Sequence, residues 1–168
     1  MQRDLLIMRH AKSLHDEADV DDFDRSLAPR GEKDIARICE KLQTHGLMPD
    51  HIYSSPAKRA KQTAQLVCKH LSLQKDRLSY DPELYAARPK TLLAFITSIP
   101  DEIRMPMVVG HNPELDECLE YLCGTDLPLS ASGKLMTTAS VAHVTFTTDG
   151  QDIQHHSGSL ELLLRPRS

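Results

Sequence analysis

The sequence predicts an α/β fold in three layers, a mainly parallel central sheet between helices with an antiparallel C-terminal edge. Two observations carry that expectation. Three short strand-like runs, Leu5-Leu6-Ile7-Met8, His51-Ile52-Tyr53-Ser54 and Met107-Val108-Val109, alternate with segments whose apolar residues recur at helical spacing. Strands that alternate with helices build a parallel sheet covered on both faces. Further on, residues 139–147 and 159–164 flank the turn-like pair Asp149-Gly150, which reads as two antiparallel strands.

Leu5 to Met8 is bounded by charge and stops where Arg9 and His10 begin, as a buried strand would. A polar, acidic stretch runs from His15 to Arg25. Pro29 and Gly31 then open a helix that gathers Ile35, Ile38, Cys39 and Leu42 on one face, and Gly46 suits its stop. After the second strand, Ser55-Pro56 leads into a helix carrying Ala60, Thr63, Ala64, Val67 and Leu71. The next unit reads as a strand at residues 78–80, a loop from Pro82 to Pro89, and a helix over residues 91–99. The run Met107 to Val109 ends in Gly110-His111-Asn112-Pro113, followed by a helix that places Leu115, Leu119 and Leu122 together. No repeat, linker or low-complexity segment interrupts the chain, so a single domain over residues 1–168 is expected.

Composition excludes several classes of function. The formal charge is −4 and Trp is absent, and no stretch interleaves Lys or Arg with stacking aromatics, which argues against a nucleic-acid partner. Cys39, Cys68, Cys118 and Cys123 match neither zinc-knuckle nor redox-pair spacing and read as buried free thiols. The N-terminal apolar run is too short for a signal sequence and far short of the ~20 residues that span a bilayer, so a cytoplasmic protein with no membrane partner is expected. His155-His156 have no third ligand at metal spacing, and as strand neighbours they would point to opposite faces. No metal and no cofactor is expected.

In a mainly parallel sheet, sites form beyond the carboxyl ends of the strands. Three strand ends here bring Arg9 with His10, Ser54 and Ser55 with Arg59, and His111. Arginine presents planar, bidentate donors to phosphate oxygens, and the Ser55-Pro56 helix start adds free N–H groups and a favourable dipole. A neutral histidine attacks phosphorus when one ring nitrogen is held by a hydrogen bond and the other is aimed at the target. His10 suits that role, and a protonated His111 beside two arginines would stabilise the charge on the phosphoryl oxygens. Taken singly, an Arg-His pair is surface decoration, Gly-His-Asn-Pro a turn, and Ser-Ser-Pro a helix cap. Taken together, at three strand ends, they point to a phosphate site.

Four motifs, RHAKS at residues 9–13, SSPAKRAKQTA at 54–64, ELY at 83–85 and VVGHNP at 108–113, together resemble the histidine phosphatase superfamily, with its phosphoglycerate mutase-like fold. The likeness covers nearly the full chain. Leu5 to Ser13, Asp22 to Gly31 and the later segment MTTASVAHVTF resemble the SixA-type phosphohistidine phosphatases. The resemblance implies a hydrolase in which His10 is the nucleophile that becomes phosphorylated, with Arg9, Arg59 and His111 as the phosphate pocket. Ala11 departs from the glycine found there in much of the superfamily, though short members share it. Glu83 lies where the superfamily places a proton donor to the leaving group, so it is a candidate general acid; the plainer reading is a solvated loop carboxylate.

Ser13 is a further candidate phosphate contact, and Lys12 beside it is as readily a solvated side chain. Arg25 and Arg30 with Asp22 and Asp24 read as an ion-pair network bracing the start of the first helix, outside the site. The stretches between Arg59, Glu83 and His111 are too short for a cap domain, so the pocket should be open. An open pocket admits a phosphorylated side chain on another protein, foremost a phosphohistidine domain of a signalling protein. A small phosphate ester is the runner-up substrate. A mutase, which needs an enclosing pocket, and a non-catalytic phosphate binder stand further back; intact His10 and His111 speak against the binder.

Overall fold

A computed structural model describes residues 2–15, 18–147 and 153–167. The chain forms β1 (Gln2–Arg9), α1 (Pro29–Thr44), β2 (His51–Ser54), α2 (Lys58–His70), β3 (Leu78–Tyr80), α3 (Pro89–Ser98), β4 (Pro106–Gly110), α4 (Glu114–Cys123), β5 (Val141–Thr147) and β6 (Gly158–Leu164). Short 3₁₀ turns sit at Asp22–Asp24, Lys75–Arg77 and Pro82–Leu84. The strands make one sheet in the order β3-β2-β4-β1-β5-β6. The first four are parallel, and β5 and β6 run antiparallel at the edge. The fold is the α/β arrangement that the alternation of strand and helix predicts.

Side-chain alternation along β1 divides the core in two. Leu6 and Met8 join a cluster with Ile35, Ile38 and Leu42 of α1 and Ala64 and Val67 of α2. Leu5 and Ile7 join another with Leu92 and Ile96 of α3 and Leu115 and Leu119 of α4. Helices therefore cover both faces, two to each. Because β1 is buried on both sides, its sequence reads as a continuous apolar run rather than an alternating one.

The boundaries differ from expectation where pairing or caps decide them. β1 starts at Gln2 because β5 pairs with it from Gln2 to Met8. β5 starts at Val141 rather than residue 139, since Ala139 has a left-handed φ of 63°, which no strand accommodates. α2 begins at Lys58, three residues after Ser55, and α3 begins with Pro89, whose missing N–H costs nothing at a first helical position. The expected turn at Asp149-Gly150 lies outside the described residues. His155 and His156 precede β6 instead of lying in a strand, and their rings stack at 3.7 Å rather than facing opposite ways. Both are exposed. Cys39, Cys68 and Cys118 are buried free thiols on helices, as expected, while Cys123 is half-buried. Among the described residues, no helix is long and apolar enough to cross a membrane.

Candidate active site

The site lies where β2, β4 and β1, adjacent in the sheet, release their carboxyl ends. The His10 N–H continues the ladder by donating to the Gly110 carbonyl, and Ala139 N–H donates to the carbonyls of Arg9 and His10 on the other side. Ala11 N–H donates to Thr63 Oγ1, whose hydroxyl donates to the Arg59 carbonyl. α1 presses on the same loop: a Cβ on Gly31 would come within 2.4 Å of the Lys12 carbonyl oxygen. Only glycine allows that approach. The segment after β1 is thus gripped by α1, α2, β4 and the residues before β5.

His10 Nδ1 lies 2.8 Å from the Ala11 carbonyl oxygen. A carbonyl only accepts, so Nδ1 carries the hydrogen and Nε2 the lone pair. Arg59 Nε donates to that Nε2 at 3.4 Å. Burial pulls the His10 pKa down to about 3; the Ala11 carbonyl opposes this, and His111, Arg59 and Arg9 lower it further. His10 is therefore a neutral base whose Nε2 lone pair lies among cations and accepts from Arg59.

Arg59 is buried, and its other nitrogens turn to Asp22: one donates to the Asp22 carbonyl at 2.7 Å and another to Oδ2 at 3.1 Å. Tyr85 donates its hydroxyl to the same Oδ2, and Arg25 reaches Oδ1 at 3.0 Å. Burial pushes the Asp22 carboxyl up, but the bonds from Tyr85, Arg59 and Arg25 and the charge of Arg59 outweigh it and hold the pKa at about 2. Arg25 also donates to Ser13 Oγ. Burial pulls the Arg9 guanidinium below its ordinary pKa, with Asp116 opposing, and Arg9 donates to the Met136 carbonyl. An arginine stays charged under such a shift.

His111 follows β4 and meets Ser55 Oγ through Nε2 at 2.8 Å, while its Nδ1 is buried without a partner among the described residues. Its ring centroid stands 5.2 Å from that of His10. Burial first, and Arg59 second, lower the His111 pKa to about 4. Burial beside Arg59 thus disfavours the charged ring in the protein without a bound phosphoryl group, whereas the sequence reading takes His111 as protonated.

These groups line a cavity of about 360 Å³. Arg9, His10, Arg59 and His111 come together there as expected, with Lys12 and Ser13. Ser54 and Ser55 do not line it. Ser54 Oγ donates to backbone carbonyls and Ser55 supports His111, so the helix start contributes only Arg59 to the wall. Glu83 is also absent from the wall: it is exposed on the Pro82–Leu84 turn, its N–H bound to Asp81. The general-acid assignment to Glu83 finds no support in that position. Asp22 and Arg25 pair as predicted but line the cavity instead of bracing α1, and Arg30 pairs with Asp34. Sequence reasoning also missed Tyr85, despite its place in the ELY motif, and Glu114, three residues after His111. Arg9, Lys12, Arg25 and Arg59 face two carboxylates, Asp22 and Glu114, so the lining is cationic and suits a dianion.

The family model described as the histidine phosphatase superfamily (branch 1) matches residues 5–85. The protein Rv1276c of Mycobacterium tuberculosis is 34% identical over 122 residues, which are 71% of this chain and 73% of that one. This chain belongs to the histidine phosphatase superfamily. Among solved structures, this histidine phosphatase is similar to a SixA protein of Agrobacterium tumefaciens assigned as a phosphohistidine phosphatase, with a TM-score of 0.82, 29% identity and 98% of each chain covered. A SixA protein of Nakamurella with the same assignment gives a TM-score of 0.78 at 25% identity, over 100% of this chain and 98% of that one. Family and neighbours together make this histidine phosphatase a hydrolase of phosphorylated substrates.

Proposed function

We propose that this phosphatase removes phosphate from phosphohistidine on a signalling protein, by way of a phosphohistidine formed on its own His10. The observation that carries the proposal is the Nδ1–H of His10 on the Ala11 carbonyl, which leaves the Nε2 lone pair in a cationic pocket. Nε2 attacks phosphorus, the bond to the leaving group breaks, and water then displaces phosphate from His10; two displacements replace one harder step. Arg9 and Arg59 hold the phosphoryl oxygens. His111 joins them, and the incoming dianion favours its protonation in the complex. Donors placed where charge develops are worth most in such a partly desolvated site.

The protein-borne substrate is supported by the likeness to the two SixA proteins and by the stretch between α2 and His111, which holds β3, α3, β4 and short turns with no cap-sized insertion. Incubation with a labelled phosphohistidine protein should leave acid-labile, base-stable phosphate on the wild-type chain and none on His10→Ala, which should be inactive. Small phosphate esters should compete poorly. Full activity of His10→Ala would overturn the mechanism, and small esters turned over as well as the phosphoprotein would move the substrate to the runner-up class.

A further inference from the structure

The pocket has a second carboxylate that the mechanism above leaves unused. Glu114 opens α4, just after Pro113, and lines the cavity with His10 and His111. Its Oε2 is shut off from solvent and has no hydrogen-bond partner among the described residues. Burying a carboxylate oxygen unpaired is unfavourable, and four cations share the same cavity wall. A structural carboxylate would be expected to pair with one of them. The field of a helix N-terminus favours an acid in the first turn but does not by itself set one in the cavity wall. Asp116 and Glu117 occupy the same first turn, and Asp116 accepts from the Met136 N–H outside the cavity wall.

A leaving alkoxide needs a proton, and among the described residues only Asp22 and Glu114 bring carboxyl groups to the cavity. Asp22 is committed elsewhere: Arg59, Arg25 and Tyr85 occupy its oxygens and keep it ionised. Glu83 is exposed on its turn. We propose that Glu114 is the proton donor to the leaving group and the proton acceptor from the hydrolytic water, the role the family resemblance gives to Glu83. This rests on the reading of His10 as nucleophile.

In the first step His10 Nε2 bonds to phosphorus, the bond from phosphorus to the leaving oxygen breaks, and the Glu114 proton goes to that oxygen. In the second, the Glu114 carboxylate takes a proton from water as its oxygen bonds to phosphorus. The P–N bond breaks, its electron pair returns to Nε2, and phosphate departs with Glu114 reprotonated. An imidazole leaves far more readily than an alkoxide, so dependence on Glu114 in the first step should follow the leaving group.

The test compares wild type, Glu114→Gln and Glu83→Gln on three substrates, an alkyl phosphate, an activated aryl phosphate and a phosphohistidine protein, with phosphate trapped on His10 and melting temperatures recorded. Glu114→Gln should lose about a hundredfold or more on the alkyl phosphate, the scale of general acid catalysis. It should still form the phosphoenzyme at near wild-type rates from the aryl phosphate and accumulate it, because the second step loses its base. Glu83→Gln should behave as wild type. Equal rates for Glu114→Gln and wild type on all three substrates, or a leaving-group-dependent loss in Glu83→Gln, would overturn the role. So would a loss in the rate of phosphoenzyme formation that is the same for all three substrates, in a Glu114→Gln protein that melts like wild type; should that variant melt early, Glu114→Asp takes its place under the same criteria. Absence of label on wild-type His10 would overturn the nucleophile and Glu114 with it, whereas His10 labelled by Glu114→Gln at wild-type rates from all three substrates overturns Glu114 alone.

Discussion

Arg59 and Asp22 are bound twice over, the guanidinium donating to both the carbonyl and the carboxylate of the aspartate while its Nε stays on His10. The donors that a phosphoryl group would use are therefore already occupied by an anion. A substrate has to displace Asp22 or share Arg59 with it. The Asp22 side chain is itself about half exposed, so the competition is modest. Asp22→Asn should tighten inhibition by orthophosphate by up to about fivefold, matching the ~0.2–1 kcal/mol of an exposed ion pair. Weaker inhibition would show instead that Asp22 is needed to hold Arg59 in place.

The buried histidines set the pH response of activity. Because kcat/KM reports the free enzyme, and His10 and His111 titrate there at about 3 and about 4, its acid limb should be missing at the 6.5 of an ordinary histidine. The substrate's own ionisation near ~6 must be corrected for. A corrected limb close to 6.5 would contradict a neutral resting pair.

Stability responds to the same groups. The unfolded chain binds protons on these two rings below about 6.5, while the folded chain refuses them down to about 4 and about 3. Unfolding thus takes up protons in that window, and stability falls as the pH falls, by up to about 1.4 kcal/mol per pH unit for each ring. Urea unfolding across the window should show this slope, and His111→Asn should make it shallower.

Gly31→Ala should lower both stability and turnover. The added Cβ meets the Lys12 backbone, which cannot rotate away as a side chain would. Overpacking of this kind costs about 1–3 kcal/mol. Lys12 is two residues from His10, so kcat should fall along with the melting temperature. A variant with wild-type kcat would mean that the loop yields without moving the nucleophile.

Thr63→Val keeps the shape of the side chain but leaves the buried Ala11 N–H without its acceptor. The expected loss is about 1–3 kcal/mol in chemical unfolding. Phosphorylation of His10 should slow as well, since Ala11 also supplies the carbonyl that sets the histidine tautomer.

Much of this was legible in the sequence because it depends on local pattern. The apolar runs ending in Arg9-His10 and Gly110-His111 located two walls of the pocket, and strand alternation fixed the fold class. What escaped depends on long-range packing. Arg25 and Asp22 lie three apart, so their pairing is local, but that the pair closes over Arg59 is set by how their loop meets α2. Glu83 and Tyr85 share one short motif, yet the Pro82–Leu84 turn leaves the acid exposed and puts the tyrosine at the cavity. The charge of His111 likewise follows from burial, which no motif reveals.

The position of β4 carries a consequence for how the enzyme comes into being. β1 and β2 are not paired with each other; each pairs with β4, which is made after both. His10 and Arg59 are therefore synthesised long before the strand that aligns their supports exists, and until it inserts, β1 and β2 each present a bare edge to the solvent. Nascent chains stopped short of Pro106 should be inactive and prone to sticking together. Catalytic competence arrives late, with the closing of a gap in the middle of the sheet.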